Sequence, residues 1–488
     1  MRTKNVRGFT ALLATAAWLV PWTAAASSGA EAEAAPPMWM ISPFVLMLLC
    51  IAIVPLAASH WWEPNRNKAI ISAILGGGTL VYLLWLAPEG AGERLVITLF
   101  DYVAFISLLA SLFIIAGGIY LKGTLVGTPL VNTFVLFIGA VIASFMGTTG
   151  AAMILIRPIL RANSWRKSPI HIVVFTIFLV ANIGGLLTPL GDPPLFLGFL
   201  KKVPFEWTFR LLPQWAFTVG LVLLVFFIFD TIMYKAEIRR GNGPPAGEKE
   251  PLRLEGAYNF AFLAGIIGAI VGAGMVSQHE LVRSWLGVEN DLAVDAIEKV
   301  SQSVAMLAIA FVAMRATPVR IRRDNSFSWG PIVEVAVLFI GIFVTMIPAL
   351  WILDYLGSQN KLGISQPWQF FWASGGLSSF LDNAPTYLTF TAAASGLNHT
   401  DPNNLMQLIK ATTDTTQLSA PGVAYLRAVS TGAVFMGANT YIGNGPNFMV
   451  KAIAESSGVK MPSFFGYMLY SICILIPTFV LVTLVFFI

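Results

Sequence analysis

The sequence predicts an all-α polytopic membrane protein with inverted repeats, each with a re-entrant hairpin and a broken transmembrane helix. Three observations predict this fold. Of the 488 residues, 56% are hydrophobic and 11% are charged, which is more apolar surface than a soluble core can bury. One pattern, T-x-[L/I]-G-[D/N]-[P/G]-P-x-F, occurs at 188–196 and again at 440–448. Lysine and arginine are also distributed unevenly between alternate loops, as membrane orientation requires.

Ten apolar runs are long enough to cross a bilayer: 38–59, 69–87, 101–121, 170–200, 214–234, 257–277, 298–314, 331–355, 423–451 and 463–488. Two further runs, 129–160 and 368–397, each hold two apolar arms around a polar tip. The tips lie at 147–150 and 382–385 and contain glycine or proline. We therefore expect both runs to be re-entrant hairpins, named hairpin one and hairpin two.

The first 26 residues follow the pattern of a signal peptide. Arg2, Lys4 and Arg7 precede an apolar run at 9–20, and alanines follow at 24–26. An uncleaved first helix is the alternative. The rest of the chain is predicted to divide into an N-terminal extension with scaffold helices (27–100), a first repeat (101–234), a linker with scaffold helices (235–330) and a second repeat (331–488).

Basic residues predict the orientation. With the mature N-terminus outside, the loops assigned to the cytoplasm carry 18 lysines and arginines, and the opposite loops carry 9. This threading makes hairpin one enter from the cytoplasm and hairpin two enter from outside. Ser144 before the first tip matches Ser379 before the second. The two units are therefore predicted to be inverted copies.

The repeated motif predicts where a solute binds. Glycine beside proline inside an apolar run removes backbone hydrogen bonds that lipid cannot replace, so each helix must break there. Unwound backbone is tolerated at membrane depth only where it is buried in protein or lines a polar cavity. Matching breaks in two halves of a chain are typical of a transporter's binding site. The sequence thus indicates a secondary transporter.

Two carboxylates, Asp192 and Asp382, are the main candidates for ion binding. Each lies on a duplicated element, and an ionisable residue at membrane depth is expensive, by about 2.5 to 3.5 kcal/mol on insertion scales. Oxygen ligands suit a hard ion such as Na⁺, and a buried carboxylate can also take up a proton. Neutral oxygens surround the two acids: Thr148, Thr149, Thr386, Asn182, Asn383, Asn439, Thr440 and Asn444. Ordinary hydrogen bonding between helices is the alternative role for each of these neutral residues.

The two sites are predicted to be unequal. We expect each half-site to combine a hairpin with the broken helix of its own repeat, and Asp192 to face Asn444. Asn383 and Thr386 would supply oxygens beside Asp382. The sequence therefore predicts that Asp382 dominates cation binding, and that the proline-rich Asp192 loop tunes it.

Other charges near the span ends carry weaker predictions. Asp101, Asp230 and Glu334 lie close to predicted span ends, where we expect solvated or capping roles. The only cysteines, Cys50 and Cys473, fall in apolar segments and are expected to be inert. The four histidines form no metal-ligand pair, and nothing indicates a nucleic-acid partner or a resident cofactor.

The chain resembles the ion transporter superfamily over 95–488. SSFLDNAPTYLTF (378–390) is similar to the hairpin sequence of NhaD-type sodium/proton antiporters and arsenite permeases, and ANIGGLLTPLGDPPLFLGFL (181–200) is its partner in the first repeat. Citrate-metal symporters and divalent anion/sodium symporters belong to the same superfamily. The resemblance implies a homodimer in the bacterial inner membrane, with an outer transport domain that moves like an elevator.

The tips decide between branches of this superfamily. The dicarboxylate branch has Ser-Asn-Thr at both tips, whereas this chain has Gly-Thr-Thr-Gly and Asp-Asn-Ala-Pro. Because Asp382 would repel a dianion, the expectation is sodium/proton antiport, with lipid, a small cation and protons as partners. Citrate or other carboxylate transport, or arsenite transport, is the alternative.

A remote alternative is an intramembrane aspartyl protease. Leu190-Gly191-Asp192 and 348–350 (Pro-Ala-Leu) partly match that class. The first glycine of its GxGD motif is replaced by Pro189, and the Pro-Ala-Leu run precedes Asp382. Soluble catalytic signatures such as HExxH and GxSxG are also missing from the sequence, so an enzyme is not predicted.

Overall fold

The computed structural model describes residues 35–123, 125–243, 251–277, 291–325, 327–359, 361, 363–411 and 421–488. The predicted signal peptide, 1–26, lies outside the described residues. The described chain is helical apart from one small antiparallel ribbon, in which Tyr120–Lys122 pairs with Arg253–Glu255. Its fold is that of an all-α polytopic membrane protein, as the composition predicts.

Apart from the short connecting helix Leu405–Lys410, nine helices within the described residues belong neither to a hairpin, nor to a broken helix, nor to the segments that close the repeats. They are Met38–Ile41 (3-10), Ser42–Ala57, Ser59–Trp62, Asn65–Trp85, Ala91–Ala116, Asn259–Ser277, Asp291–Ala316, Val319–Asp324 and Gly330–Ser358. The helix of the first repeat begins at Ala91, earlier than the predicted residue 101. Glu93 and Arg94 interrupt the apolar pattern in these first turns of the helix, so the apolar run begins later than the helix does.

The hairpins and broken helices follow the predicted order. Hairpin one comprises Pro129–Met146 and Thr148–Ala162, and hairpin two comprises Pro367–Ser378 and Asn383–Leu397. The first broken helix comprises Ile170–Leu179, the 3-10 turn Ile183–Leu187 and Pro193–Leu200. The second comprises Pro421–Met436, the 3-10 turn Gly437–Asn439 and Gly445–Ser456. Phe205–Leu211 with Leu212–Arg239, and Phe464–Tyr470 with Ser471–Leu475 and Ile476–Phe486, close the two repeats, and Leu405–Lys410 is a short connecting helix.

Nine helices among the described residues are long and apolar enough to cross a membrane. Pro129–Met146, the first arm of hairpin one, is among them, whereas Asn259–Ala273 is counted as a shorter apolar helix. Length and composition alone therefore do not separate a hairpin arm from a span. The polar tip and the return of the chain identify the hairpin.

We distinguish two groups of helices, which pack closely against each other. One group, the support bundle, comprises Asn65–Trp85, Ala91–Ala116, Asn259–Ser277, Asp291–Ala316 and Gly330–Ser358. The other, the hairpin unit, contains both hairpins, both broken helices and the closing helices. The two groups meet where Ala91–Ala116 contacts hairpin one and Gly330–Ser358 contacts hairpin two.

The hairpin unit has internal pseudo-symmetry. Thr188 Oγ1 donates to the carbonyl of Ser144, and Thr440 Oγ1 donates to the carbonyl of Ser379. The second arm of each hairpin also packs on the C-terminal half of the broken helix from the other repeat. The repeats are thus interlocked, because each broken helix touches both hairpins or their tips.

Candidate functional site

Asp192 lies where the first broken helix is interrupted. The helix Ile170–Leu179 and the turn Ile183–Leu187 end before it, and an α-helix resumes at Pro193. Two consecutive prolines fit the first turn of this helix, because backbone donors there need no intrahelical partner. Asp192 therefore occupies the N-cap position in extended conformation. Asn444 holds the equivalent N-cap position of Gly445–Ser456 in the second repeat.

Three neutral side chains donate hydrogen bonds to the Asp192 carboxylate. Thr148 Oγ1 lies 3.0 Å from Asp192 Oδ1, and Asn444 Nδ2 lies 3.3 Å from the same oxygen. Asn383 Nδ2 donates to Asp192 Oδ2. All four side chains are buried, and Asp192 is 2% exposed. The carboxylate is held by hydrogen bonds from groups that carry no charge, so its own negative charge remains available to a cation.

Both hairpin tips reach this carboxylate. Gly147 has a φ of 84°, a conformation that favours glycine, and it lets the second arm of hairpin one begin at Thr148. The backbone N–H of Thr148 also donates to the carbonyl of Gly191 at 2.9 Å. Asn383 begins the second arm of hairpin two. The two tips therefore meet at one residue of the first broken helix.

Asp382 has a different position. Its Oδ1 accepts from the backbone N–H of Ala384 at 3.1 Å, which makes it the N-cap of the helix Asn383–Leu397. Its backbone carbonyl accepts from Thr386 Oγ1 at 3.0 Å. Its side chain is only partly buried by the protein. Thr386 is thus bonded to the backbone of Asp382, not to its carboxylate.

The expectation of two half-sites, each built within one repeat, is wrong for Asp192. Its partners come from hairpin one, hairpin two and the second broken helix. The predicted approach of Asp192 to Asn444 is present, at 3.3 Å. Because the inverted repeats interlock, the two hairpin tips and the breaks of the two broken helices meet in one place. They form one shared cluster there.

The remaining predicted residues tie the broken helices together. Asn182 Nδ2 donates to Asn447 Oδ1 at 2.7 Å, and Asn447 Nδ2 donates to the carbonyls of Gly437 and Thr440. Asn439 Nδ2 donates to Ser379 Oγ at 2.9 Å. These contacts join the interruptions to each other and to hairpin two. Thr149 is half-buried beside Thr148, and Asp192 accepts no hydrogen bond from it within the described chain.

Asn447 was missed by the sequence reasoning although it lies inside the repeated motif. The glycines, prolines and acid of the motif predict the helix break, and the residue of the first copy that corresponds to Asn447 is the apolar Leu195. A polar residue at a position that is apolar in the other copy is the signal that could have identified it.

Two side-chain oxygens near the cluster are buried and have no hydrogen-bond partner among the described residues: Asn383 Oδ1 and Asn439 Oδ1. Asn383 is fully buried. A buried acceptor without a partner is destabilising by about 1 to 3 kcal/mol. An amide oxygen of this kind is a suitable ligand for a hard cation.

A second charged cluster joins the support bundle to the hairpin unit. Asp101 accepts from Lys201 at 2.7 Å and from Lys299 at 2.5 Å, and Lys299 also pairs with Asp295 at 2.5 Å. Lys202 pairs with Asp295. Lys201 and Lys202 end the first broken helix, whereas the other three residues belong to the support bundle. We call these five residues the bridging network.

The predicted solvated or capping role of Asp101 is therefore wrong, and that of Asp230 is wrong as well. Asp101 is 3% exposed and Asp230 is fully buried. Asp230 binds Arg166, His171 Nε2 at 2.8 Å and Asn132 Nδ2 at 2.9 Å. Glu334 is exposed in part and pairs with Lys68 at 2.8 Å. The basic partners of Asp101 and Asp230 come from distant parts of the chain. The position of an acid along a predicted span does not reveal such partners.

No group of three or more His, Cys, Asp or Glu residues that could hold a metal occurs within the ranges that the structure describes. The cluster around Asp192 instead contains one carboxylate with hydroxyl and amide groups. Such a set can bind a monovalent cation or a proton, and it offers too little negative charge for a tightly bound divalent metal.

A family model described as "Putative citrate transport" matches residues 33–487. The match includes both hairpins, both broken helices and the support bundle. No curated protein matches the chain.

Proposed function

Because the chain belongs to the putative citrate transport family, we propose that it is a secondary active transporter that exchanges Na⁺ for H⁺ at one site centred on Asp192. The observation that carries this proposal is the buried Asp192 carboxylate, which accepts hydrogen bonds from both hairpin tips and from the second broken helix. A charge held at the meeting point of the interrupted elements is available to both sides of the membrane in turn when those elements move.

Hydrogen-bond donors become ligands in this proposal. A half-turn of the Asn383 amide exchanges its Nδ2 and Oδ1 atoms, which replaces a donor to Asp192 with a free oxygen beside it. Thr148 can rotate its hydroxyl proton away and present Oγ1. Na⁺ then binds between carboxylate, hydroxyl and amide oxygens, and a proton on Asp192 displaces it. Competition for one carboxylate couples the two ions without a second binding site.

The contacts favour Asp192 over Asp382 as the principal cation ligand. This reverses the assignment that the sequence suggested. Asp382 is engaged as a helix cap, and its carboxylate lies one residue before Asn383, which contacts Asp192. We assign it the role of increasing the negative potential at the site, which attracts cations and protons alike.

Transport requires the site to open to each side. We propose that the hairpin unit moves against the support bundle in the manner of an elevator, within a homodimer in the bacterial inner membrane. The bridging network would break during this movement, since Lys201 and Lys202 belong to the hairpin unit and Asp101 and Asp295 to the support bundle. The network would thus stabilise one of the two end states.

Cation-coupled citrate transport is the second candidate. It is favoured by the description of the matching family. In this version, Asp192 binds the coupling cation and the citrate occupies a different place. Arsenite transport and proteolysis have no comparable support from the contacts around Asp192.

Everted membrane vesicles with an imposed pH gradient distinguish the candidates. Dissipation of the gradient by Na⁺ or Li⁺ alone is the result expected for exchange. A response that requires citrate would favour the second candidate, and a response to arsenite alone would contradict both. Vesicles containing Asp192→Asn are the control, since they should give no response to any of these additions.

A further inference from the structure

A cavity of about 40 Å³ lies between the support bundle and hairpin two. Arg94, Thr98 and Trp351 line it from two support helices, and Thr391 lines it from the second arm of hairpin two. Lys201 and Asn403 complete the polar part of the wall. At about 10 to 15 Å³ for a water molecule, the cavity has room for about three waters or for one carboxylate group.

The charged groups in the described wall of this cavity are both cationic, Arg94 and Lys201. Threonine hydroxyls and the Asn403 amide add neutral polar groups, and the remaining walls are apolar. Arg94 is placed over the ring of Trp351, with 4.4 Å between its guanidinium carbon and the ring centre. A few convergent polar groups in an apolar pocket are typical of a small-molecule site, and the Lys201 ammonium favours an anion among such ligands.

Lys201 has the capacity to bind such an anion. Its ammonium carries three N–H donors. One is directed to Asp101 at 2.7 Å and one to Asn403 Oδ1 at 2.8 Å, within the described part of the chain. A third donor therefore remains for a first contact with a ligand in the cavity, before any exchange with Asp101. The contact with Asp101 shows that the Lys201 ammonium donates to a carboxylate in this place.

We propose that this cavity binds a carboxylate group of an organic anion, which competes with Asp101 for Lys201. Asp101 would keep its contact with Lys299, while Lys201 would turn to the ligand. Loss of the ion pair between Lys201 and Asp101 then weakens the link between the support bundle and the hairpin unit. Ligand binding would in this way release the hairpin unit for movement.

The choice of a carboxylate rests on the citrate candidate for the proposed function, whereas the location rests on the cavity alone. Because the cavity holds a single carboxylate group, a tricarboxylate such as citrate would insert one arm and keep the others outside. This site is separate from the cluster at Asp192, and its occupation does not require Na⁺.

The test measures citrate and acetate binding to the purified full-length protein by calorimetry in Na⁺-free buffer. Lys201→Gln should weaken binding at least tenfold, as loss of a charge-assisted hydrogen bond implies at about 1.5 to 3 kcal/mol. Ala392→Leu should weaken it by at least about tenfold because a larger side chain fills the cavity without changing its charge. Lys410→Gln, an exposed lysine outside the cavity, is the matched control and should bind as the wild type does.

Asp101→Asn provides the decisive contrast. Removal of the competing carboxylate should tighten citrate binding several-fold, whereas a network with only a structural role would not yield tighter binding. Equal affinity in the wild type, Lys201→Gln and Ala392→Leu would overturn the proposal, as would a wild type that binds neither citrate nor acetate. If Lys201→Gln does not fold, Ala392→Leu and Asp101→Asn still give opposite expected shifts.

Two further measurements test whether the site selects carboxylates and whether citrate binds in the cavity or at Asp192. Chloride at the same ionic strength should not displace citrate, and equal displacement would contradict a carboxylate site. Asp192→Asn should bind citrate with wild-type affinity. If its citrate affinity fell instead, citrate would occupy the central cluster and the cavity proposal would fail, while cation-coupled transport would remain tenable.

Discussion

At the scale of single residues, the central feature is a buried carboxylate whose partners are all neutral. Asp192 accepts from Thr148, Asn383 and Asn444. A lysine or arginine in this place would cancel its charge, as Arg166 does for Asp230. Hydrogen bonds from neutral groups stabilise the anion yet leave it attractive to a cation.

Thr148→Val should weaken Na⁺ activation of exchange by about tenfold, because the proposed Na⁺ site loses one oxygen ligand. This loss is comparable with that of a hydrogen bond to a charged group, about 1.5 to 3 kcal/mol. Thr149→Val is the matched control on the same tip and should change it less than about twofold. The measurement is the Na⁺ concentration that gives half-maximal proton flux in proteoliposomes. Similar losses in both variants would mean that the tip, not the Thr148 hydroxyl, matters.

Asp382→Ala should lower the free energy of unfolding by about 1 kcal/mol through the lost helix cap. Asp382→Asn keeps a capping oxygen and should unfold like the wild type, while its Na⁺ activation weakens through the lost negative potential. Thermal unfolding in detergent and proton flux in proteoliposomes give the two quantities. Complete loss of exchange in Asp382→Asn with normal unfolding would restore Asp382 as the principal ligand.

At the scale of elements, the two broken helices depend on close backbone contacts that the shared motif encodes. A Cβ added at Gly191 would lie 2.1 Å from the carbonyl oxygen of Gly185, and one added at Gly443 would lie 2.6 Å from that of Gly437. The motif could therefore be read from the sequence as a pair of matched breaks. The pairing of residues across the breaks could not, since Asn182 and Asn447 are 265 positions apart.

Gly191→Ala should prevent folding of the first interruption, because the obstructing atoms are backbone and cannot yield locally. Gly445→Ala has nothing within 4 Å of the added Cβ and serves as the control. Monodispersity on size-exclusion chromatography after detergent extraction is the measurement. A monodisperse, active Gly191→Ala protein would show that the interruption is more adaptable than these distances imply.

At the scale of the whole molecule, the fold class followed from composition, charge asymmetry and the repeated motif. The interlocking of the repeats did not, because a pattern along the chain says nothing about which repeat a tip will contact. The same reason explains why Asp101 and Asp230 were misjudged. Their partners, Lys299 and Arg166 among them, are joined to them only by tertiary packing.

Opposite entry of the two hairpins can be measured directly. In a background where Cys50 and Cys473 are replaced by serine, Ser164→Cys should react with an impermeant thiol reagent only from the cytoplasmic side. Asp401→Cys, after hairpin two, should react only from the opposite side. Both positions are exposed. Labelling of both cysteines from one side would contradict the inverted arrangement.

Calorimetric titration of Na⁺ into the purified protein at two pH values tests the central claim most directly. One Na⁺ should bind per chain, and its apparent affinity should fall as the pH is lowered, by up to about tenfold per unit once Asp192 is largely protonated. Asp192→Asn should show no Na⁺ binding at either pH. Wild-type Na⁺ affinity in Asp192→Asn, or an affinity of the wild type that does not change with pH, would contradict a single site shared by Na⁺ and H⁺.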